Sequence, residues 1–558
     1  MKKRIFFVSI LLIMSILFSG CNGFKRVEDK DNVGKGKLER PSSDRDKIII
    51  PLTKLNTLDP LENNNFNYYN FSKLMYEGLF EFDKNLKVKP LLVDNYSIED
   101  DGKKITLELK KDIYWHNGDK LTTEDIDFTI KTIKNLNKES IYKNSILSAL
   151  GSFRYFNIKS FIKTNIIDEN KIELYFDNIY SNNLEALTFP IVNKDSYSEL
   201  EDEYTPIGTG PYKYKKYNTS NGVELIKNDR YWNGEVNIPR ILGRIFQDED
   251  LIVKAFEDGR TDFVNITGVD GEKYKKDSNT RILEYTSSEY EFLGYNFKNK
   301  ILNGEKGEEI RKAIYYGINR QEIIGEVYLG HATQVDTPIH PDSYLTNGVT
   351  NIYGHNIEKA KDILKDSGFD SVDSDGILKD NLGRRLSFRL LTNSSNRHRM
   401  KAAEIIKENL KDIGIEILLE YPPVDIDSLD NEKIDEEWKI LNKTIKDGKY
   451  DIALLGWELS LIQDLSFMFH SSFKYSGSNF IKYNDNIMDN LLEGAYINSQ
   501  EDKKKAYEGI QNYIMEELPY GSLYFTNKSL LSRDNIKGPL EPTFFNLYRG
   551  LEKCMILE

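Results

Sequence analysis

Cysteine is nearly absent from this chain. Only Cys21 and Cys554 occur in 558 residues, so no disulfide framework is available and stability has to come from packing. Histidine is scarce as well, and the six residues His116, His331, His340, His355, His398 and His470 show no pair at i, i+4 spacing. No HExxH, Cys/His cluster or GxSxG elbow occurs, which removes the usual sequence marks of zinc and serine hydrolases. Gly208-Thr209-Gly210 is only a fragment of a nucleotide-binding loop, because Pro211 follows at once and no glycine arrives three residues after Gly210. Asp373-Ser374-Asp375-Gly376 fails as a calcium loop, since its twelfth position, counted from Ser371, is Leu382 and not Glu. A tight turn is expected there. Nothing assembles a nucleophile, a base and an oxyanion donor, so no enzyme, cofactor or metal site is expected. Positive charge is also in deficit: the formal charge is −13, which makes nucleic acid and bare anionic membrane poor partners.

Long apolar runs are missing with one exception. Lys2, Lys3 and Arg4 precede a short apolar run from Ile5 to Phe18, followed by Ser19-Gly20-Cys21. A basic head, a short apolar core and small residues before a cut form a secretory signal peptide, and the run is too short for a permanent membrane helix. Phe18-Ser19-Gly20-Cys21 resembles the lipobox of bacterial lipoproteins, with Phe18 where Leu is commoner. Residues 1–20 are therefore expected to be removed and Cys21 to carry a lipid at the outer face of the cytoplasmic membrane. Residues 21–45 have the polar composition of a tether.

The remainder has room for two or three domains, and 39% hydrophobic with 30% charged residues suits a soluble globular protein. A strand is expected at Asp46–Ile50, closed by Pro51. Ile105, Leu107 and Leu109 alternate as a half-buried strand. Thr122 with Asp125 makes a capping pattern before Ile126, Ile130, Ile133 and Leu136 at helical spacing. Asn319 with Glu322 repeats that logic, and Asn356 opens a helix that Gly368 ends. Ile406, Leu410 and Ile413 form an apolar stripe that Gly414 terminates before the alternating Ile415, Ile417 and Leu419. A helical segment around Trp438 precedes an apolar strand from Tyr450 to Trp457. Helices feeding strands through glycine stops predict an α/β architecture.

Several segments, in order along nearly the whole chain, resemble the extracellular solute-binding proteins of family 5, the oligopeptide, dipeptide and nickel receptors of ABC importers. They are Leu58-Asp59-Pro60 with Leu74 to Leu79, Asp112 to Gly118 with Leu121 to Ile126, and Ile207 to Tyr212 with Asn228 to Gly234. Arg311 to Ile314 with Ile318-Asn319-Arg320, and then Gly456-Trp457, complete the set. The resemblance implies a periplasmic-binding-protein-like fold of two lobes around a cleft, joined by two crossing strands. It places lobe I at 46–69, 195–296 and 521–558, an inserted subdomain at 70–194, and lobe II at 297–520. The crossings are expected near Asn296 and Tyr520. Trp115, Pro211, Tyr231 and Trp232 are read as fold-forming residues that do not touch the solute.

In peptide-binding members an Asp three residues beyond the Trp pairs with the ligand's ammonium. Here that position is Ser460, which offers only a neutral hydrogen bond. Glu458 is the alternative acid. Trp457 is the leading candidate contact because a stiff aromatic at a strand end offers stacking area. Asn479, Tyr483 and Asn296 follow as cleft residues, and Arg397 as a candidate for a carboxylate. The function implied is capture of a peptide solute for a membrane ABC permease by a monomeric, lipid-anchored receptor. An oligosaccharide or other polar solute, or a non-transport sensor on the same scaffold, is the alternative. Nickel is disfavoured, since spacing shows no histidine pair.

Overall fold

The computed structural model describes residues 46–63, 65–99, 103–136, 163–176, 183–197, 204–219, 221–348, 352–425, 431–474, 478–497 and 502–557. Cys21, the signal segment and the tether lie outside the described residues. Local signals act as the sequence demands. Thr122 and Asp125 form a reciprocal capping box on the Thr123–Asn135 helix. Asn319 and Asn356 each cap a helix by accepting a backbone N–H. The Arg397–Lys411 helix ends before Gly414, whose φ of 82° favours glycine, and the Glu416–Glu420 strand follows. Asp373 accepts from the backbone of Asp375 and Ile377, so the false calcium loop is a hairpin turn.

Pro51 does not close the first strand, contrary to expectation. The strand runs Lys47–Thr53, parallel to Arg240–Phe246, at the edge of a four-stranded sheet completed by Gly222–Lys227 and Tyr212–Asn218. Ile49 donates outward to Asp262, and Pro51, two residues on, faces the same outer side. Its missing N–H therefore costs no ladder bond. A second four-stranded antiparallel sheet has the order Val93–Glu99, Lys104–Leu109, Lys171–Tyr175, Lys163–Ile166. One continuous core serves both sheets.

Two long strands, Thr280–Tyr295 and Tyr520–Arg533, carry the chain between the lobes and pair antiparallel with each other. Their register breaks between Thr286 and Tyr290, where Ser287 and Thr526 share a hydroxyl hydrogen bond of 2.8 Å. Packing changes hands at this break. Tyr285 and Leu530 belong to the first lobe's core, whereas Tyr290, Phe292 and Phe525 belong to one of the second lobe's. The positions near Asn296 and Tyr520 where crossings are expected lie at the ends of these strands. Beyond the break, Ile452–Glu458 joins antiparallel to residues 289–295, and Ser387–Leu391 and Glu416–Glu420 extend the sheet in parallel. Helices cover this α/β sheet and build the second lobe's two cores. The C-terminal segment returns to the first lobe, where Leu547 donates to Asn70 and Cys554 is buried without a disulfide. No helix among the described residues is long and apolar enough to cross a membrane.

Candidate functional site

The end of the Ile452–Glu458 strand makes one wall of a cavity of about 320 Å³. Glu458 pairs across the ladder with Glu289, and the chain then turns away, with Leu459 donating to Ser288 at 2.9 Å. Ser460 donates to the Ile462 carbonyl at 2.5 Å, which tightens the turn. Leu461 and Ile462 reach over and pack against the first lobe's core. The opposite wall is first-lobe surface: Phe66 and Tyr69 from one short helix, the turn bearing Glu185 and Phe189, and Phe544 from the C-terminal segment. Tyr285, Ser287 and Ser288, at the register break, line it between the two walls. The cavity thus lies where both lobes meet the crossing strands. Its wall mixes aromatic rings with polar side chains, Thr188, Asn265, Ser287 and Ser288 among them, and such convergent polar groups in a partly apolar cavity suit a small-ligand site.

Two ion pairs frame it. Lys503, on the Lys503–Glu517 helix of the second lobe, binds Glu185 on the short Glu185–Leu187 helical turn, and both side chains are almost wholly buried. Lys528 reaches Glu289 at 2.6 Å. His340 supports the region from behind, its ring against the Ser287 carbonyl at 3.1 Å and 4.9 Å from the ring of Phe544. Burial pushes this imidazole down to about 4. Among the described residues no group of three or more His, Cys, Asp or Glu side chains could hold a metal ion.

Of the residues singled out in the sequence, Glu458 and Ser460 line the cavity. Trp457 does not. It is half-buried, stacked near Phe292 and edge-on to Phe467 at 5.3 Å, with its indole N–H 3.4 Å from the Tyr520 hydroxyl. Successive strand residues face opposite ways, so a strand that presents Glu458 to the cavity turns Trp457 into the core. Asn479 is fully buried and donates to the carbonyls of His470 and Tyr483. Tyr483 is buried with its ring 4.9 Å from that of Phe297. Asn296 donates to the Tyr450 carbonyl at 2.8 Å and accepts from Lys298, which fixes the strand's exit. Arg397 is exposed at the start of its helix.

Two residues beyond it, Arg399 is buried and clamps Glu291 through two hydrogen bonds of 2.7 Å while also donating to Asn393. Its position was readable: Arg399 shares the helix face of Ala402, Ala403, Ile406 and Leu410. The clamp also explains Gly456, because a side chain there would meet Glu291 and Arg399 within 2.6 Å. The Glu185–Lys503 pair had no such signal, being formed by residues far apart in the chain.

The first-lobe motif segments around Gly208 and Tyr231 converge away from the cavity, on Glu77, whereas Arg311 and Arg320 are held inside the second lobe by Glu517, Leu518 and Asp336. Tyr231, Trp232 and Thr209 each donate to the Glu77 carboxyl at 2.8 Å. Burial outweighs these three donors and pushes the group up to about 7. Gly208 and Gly210 are needed for closeness: a Cβ on Gly208 would stand 1.9 Å from the Met75 carbonyl oxygen. His116 receives the Gly208 N–H on one ring nitrogen and contacts the Gly210 carbonyl with the other. These segments hold the first lobe together.

The family described as bacterial extracellular solute-binding proteins, family 5 Middle, matches residues 87–479. The oligopeptide-binding protein AppA of Bacillus subtilis is 27% identical over 550 residues, covering 96% of each chain. The solved structure of that AppA with a nonapeptide superposes with a TM-score of 0.58 at 23% identity, over 92% of this chain and 99% of its own. The ABC transporter substrate-binding protein CtaP of Listeria monocytogenes gives a TM-score of 0.72 at 22% identity, with the same coverage.

Proposed function

Because the chain belongs to the bacterial extracellular solute-binding proteins of family 5, a group of transporter receptors and not of enzymes, we propose that it captures a short peptide-like solute in the cavity between its lobes. It then delivers that solute to an ABC permease. The carrying observation is the cavity itself, walled by both lobes at the register break of the crossing strands. A solute touching both walls stabilises the closed state over the open one.

The ligand is short. A cavity of about 320 Å³ lies at the low end of small-ligand sites, roughly 300–1,000 Å³, and has the volume of about ten waters. Glu458 and Ser460 are the proposed ligand contacts from the turn after the Ile452–Glu458 strand, while Trp457, Asn479, Tyr483 and Asn296 support it and Arg397 stays in solvent. Cys21 is proposed as the lipidated residue, with the polar segment after it as tether. The lobes are proposed to follow the cores: residues 46–285 and 530–557 in one, 290–525 in the other.

The test is mass spectrometry of solute copurifying with the protein, combined with melting-temperature shifts on adding peptides of graded length. Binding to the folded form raises stability as RT ln(1 + [L]/Kd). Short peptides should stabilise and long ones should not. Failure of every peptide to shift the melting temperature, with nothing copurifying, would sink the proposal.

A further inference from the structure

His331 has its backbone in the second lobe and its ring among groups of the first. It lies between the Arg320–Tyr328 helix and the Ala332–Gln334 strand, which pairs with Tyr524 to Thr526 beyond the register break. Tyr328 and Ala332 on either side pack into a second-lobe core. The ring meets two carboxylates from the other side of the break. Its Nδ1 stands 2.7 Å from Glu284, which is followed on the crossing strand by Tyr285 of the first lobe's core. Its Nε2 contacts Glu272, on the turn whose Tyr274 shares a small core with Phe246 of the first sheet. The Gly268–Gly271 helix backs onto His331 so closely that a Cβ on Gly268 would stand 2.6 Å from the histidine Cβ. The His331 side chain is 10% exposed, so water replaces neither contact cheaply.

A neutral imidazole has one N–H and one lone pair, whereas both nitrogens of the imidazolium donate. Ionised carboxylates only accept. Two of them on one ring are therefore both satisfied only when the ring is charged. Each carboxylate also has a second donor that favours its ionised form: Lys275 on Glu272, and the Asn527 amide at 2.6 Å on Glu284. The Lys275 ammonium and the His331 ring together hold the Glu272 carboxyl below its ordinary range. Nearby charges on the packed elements are engaged elsewhere: Asp270 by Thr267, Lys273 by Glu257, Lys528 by Glu289 and Arg320 by Asp336. With its proton, the cluster sets two cations against two anions. Without it, one ring nitrogen turns a lone pair on a carboxylate oxygen.

We propose that His331 is a proton-operated latch between the lobes, tying Glu272 and Glu284 to the second lobe when charged and releasing them when it loses its proton. It holds the same arrangement that makes the Lys503–Glu185 pair. The inference goes beyond the choice of solute and rests on the receptor reading only in taking cleft opening as the working motion. Histidine is the side chain whose charge ordinarily changes between pH 5 and 8. The latch is made at the acid end of that range and is lost as pH rises through it. The receptor thus closes more firmly in mildly acidic surroundings.

Small-angle scattering of the ligand-free protein at about pH 5 and about pH 8 tests this. The wild-type radius should grow toward alkaline pH, with the ratio of open to closed molecules rising roughly tenfold, the effect of one charge-assisted hydrogen bond. His331→Gln, which takes up no proton, should have one radius at both pH values. His331→Lys, which keeps a cation between the carboxylates, should stay compact at both. Glu272→Gln with Glu284→Gln removes the carboxylates and leaves the buried ring in place. Their side chains are 30% and 34% exposed, so this variant tests the latch even if the histidine variants fold poorly, and its pH step should also vanish. A wild-type radius that does not change with pH overturns the latch, as does an equal step in the Gln variants. Neither result touches the receptor reading, which peptide binding decides separately.

Discussion

Lys503 and Glu185, separated by 318 positions in sequence, meet as a buried ion pair that ties the Lys503–Glu517 helix to the turn beside the first lobe's core. Each side chain is about 3–4% exposed. Neither charge has bulk water to fall back on while the lobes are together, and opening the cleft rehydrates both. The pair thus belongs to the closed form.

Lys503→Met should shift the population toward open molecules. The variant removes the buried cation from Glu185 in the closed form, a penalty of about 3 kcal/mol or more. Small-angle scattering should show a larger radius without ligand, and solute affinity should fall. Lys503→Met with Glu185→Leu should recover much of the loss, because a neutral pair no longer strands a charge. A double variant as impaired as the single one would remove the pair from the closing equilibrium.

Glu77 gives the first lobe a pH dependence of definite sign. Burial raises its folded value from 4.5 to about 7, so its contribution is complete below 4.5 and is lost as pH rises through about 7. The full shift corresponds to roughly 3 kcal/mol. Urea unfolding midpoints should therefore fall between about pH 5 and about pH 8. In Glu77→Gln that decline should vanish, at the cost of a lower midpoint at acid pH, because the amide offers one acceptor oxygen where the carboxyl accepts from three donors through two. A decline of equal size in the variant would assign it to other groups.

Trp457→Ala is expected to act on stability first. The indole packs among Phe292, Phe467 and Phe480 and does not line the cavity. Truncation should cost about 2–3 kcal/mol, somewhat less than for a fully buried Trp. Trp457→Phe should restore most of it. Affinity for the solute should change less than in Glu458→Gln, and the reverse order would return Trp457 to the binding surface.

Gly208→Ala tests the first lobe's tightest approach. A methyl 1.9 Å from the Met75 carbonyl oxygen meets backbone, which cannot swing aside. The loss should be about 3 kcal/mol or more, read as a lower denaturation midpoint. Glycines with open space around them, such as Gly325 in the Arg320–Tyr328 helix, should tolerate alanine or gain from it.

Cys21→Ala should release the protein from the membrane fraction into the medium, and labelled lipid should no longer be incorporated. Membrane retention of the variant would mean that another element anchors the chain.

Much of the fold was legible because its signals are local. Thr122, Asn356 and Gly414 each act through neighbours within a few positions, and their elements stand where the spacing put them. Pro51 misled because edge position, which excuses a missing N–H, is a property of the sheet and not of the run. The site was legible only along one segment. Glu458 and Ser460 came from a single turn, whereas Phe66, Glu185, Tyr285 and Phe544 reach the cavity from distant parts of the chain. Asn296 and Asn479 resembled ligand donors because sequence cannot show that carbonyls of their own lobe already occupy them.

The return of the C-terminal segment fixes an order of assembly. Residues 290–525 are continuous and can condense as soon as they are available. The first lobe lacks its last pieces until the Tyr520–Arg533 strand has come back and Leu547 has found Asn70, a contact spanning 477 positions. Contacts of such separation form late. In a chain delivered amino end first, the half that begins earliest is completed last, and a truncation of a few residues at the far end strikes the core laid down at the start.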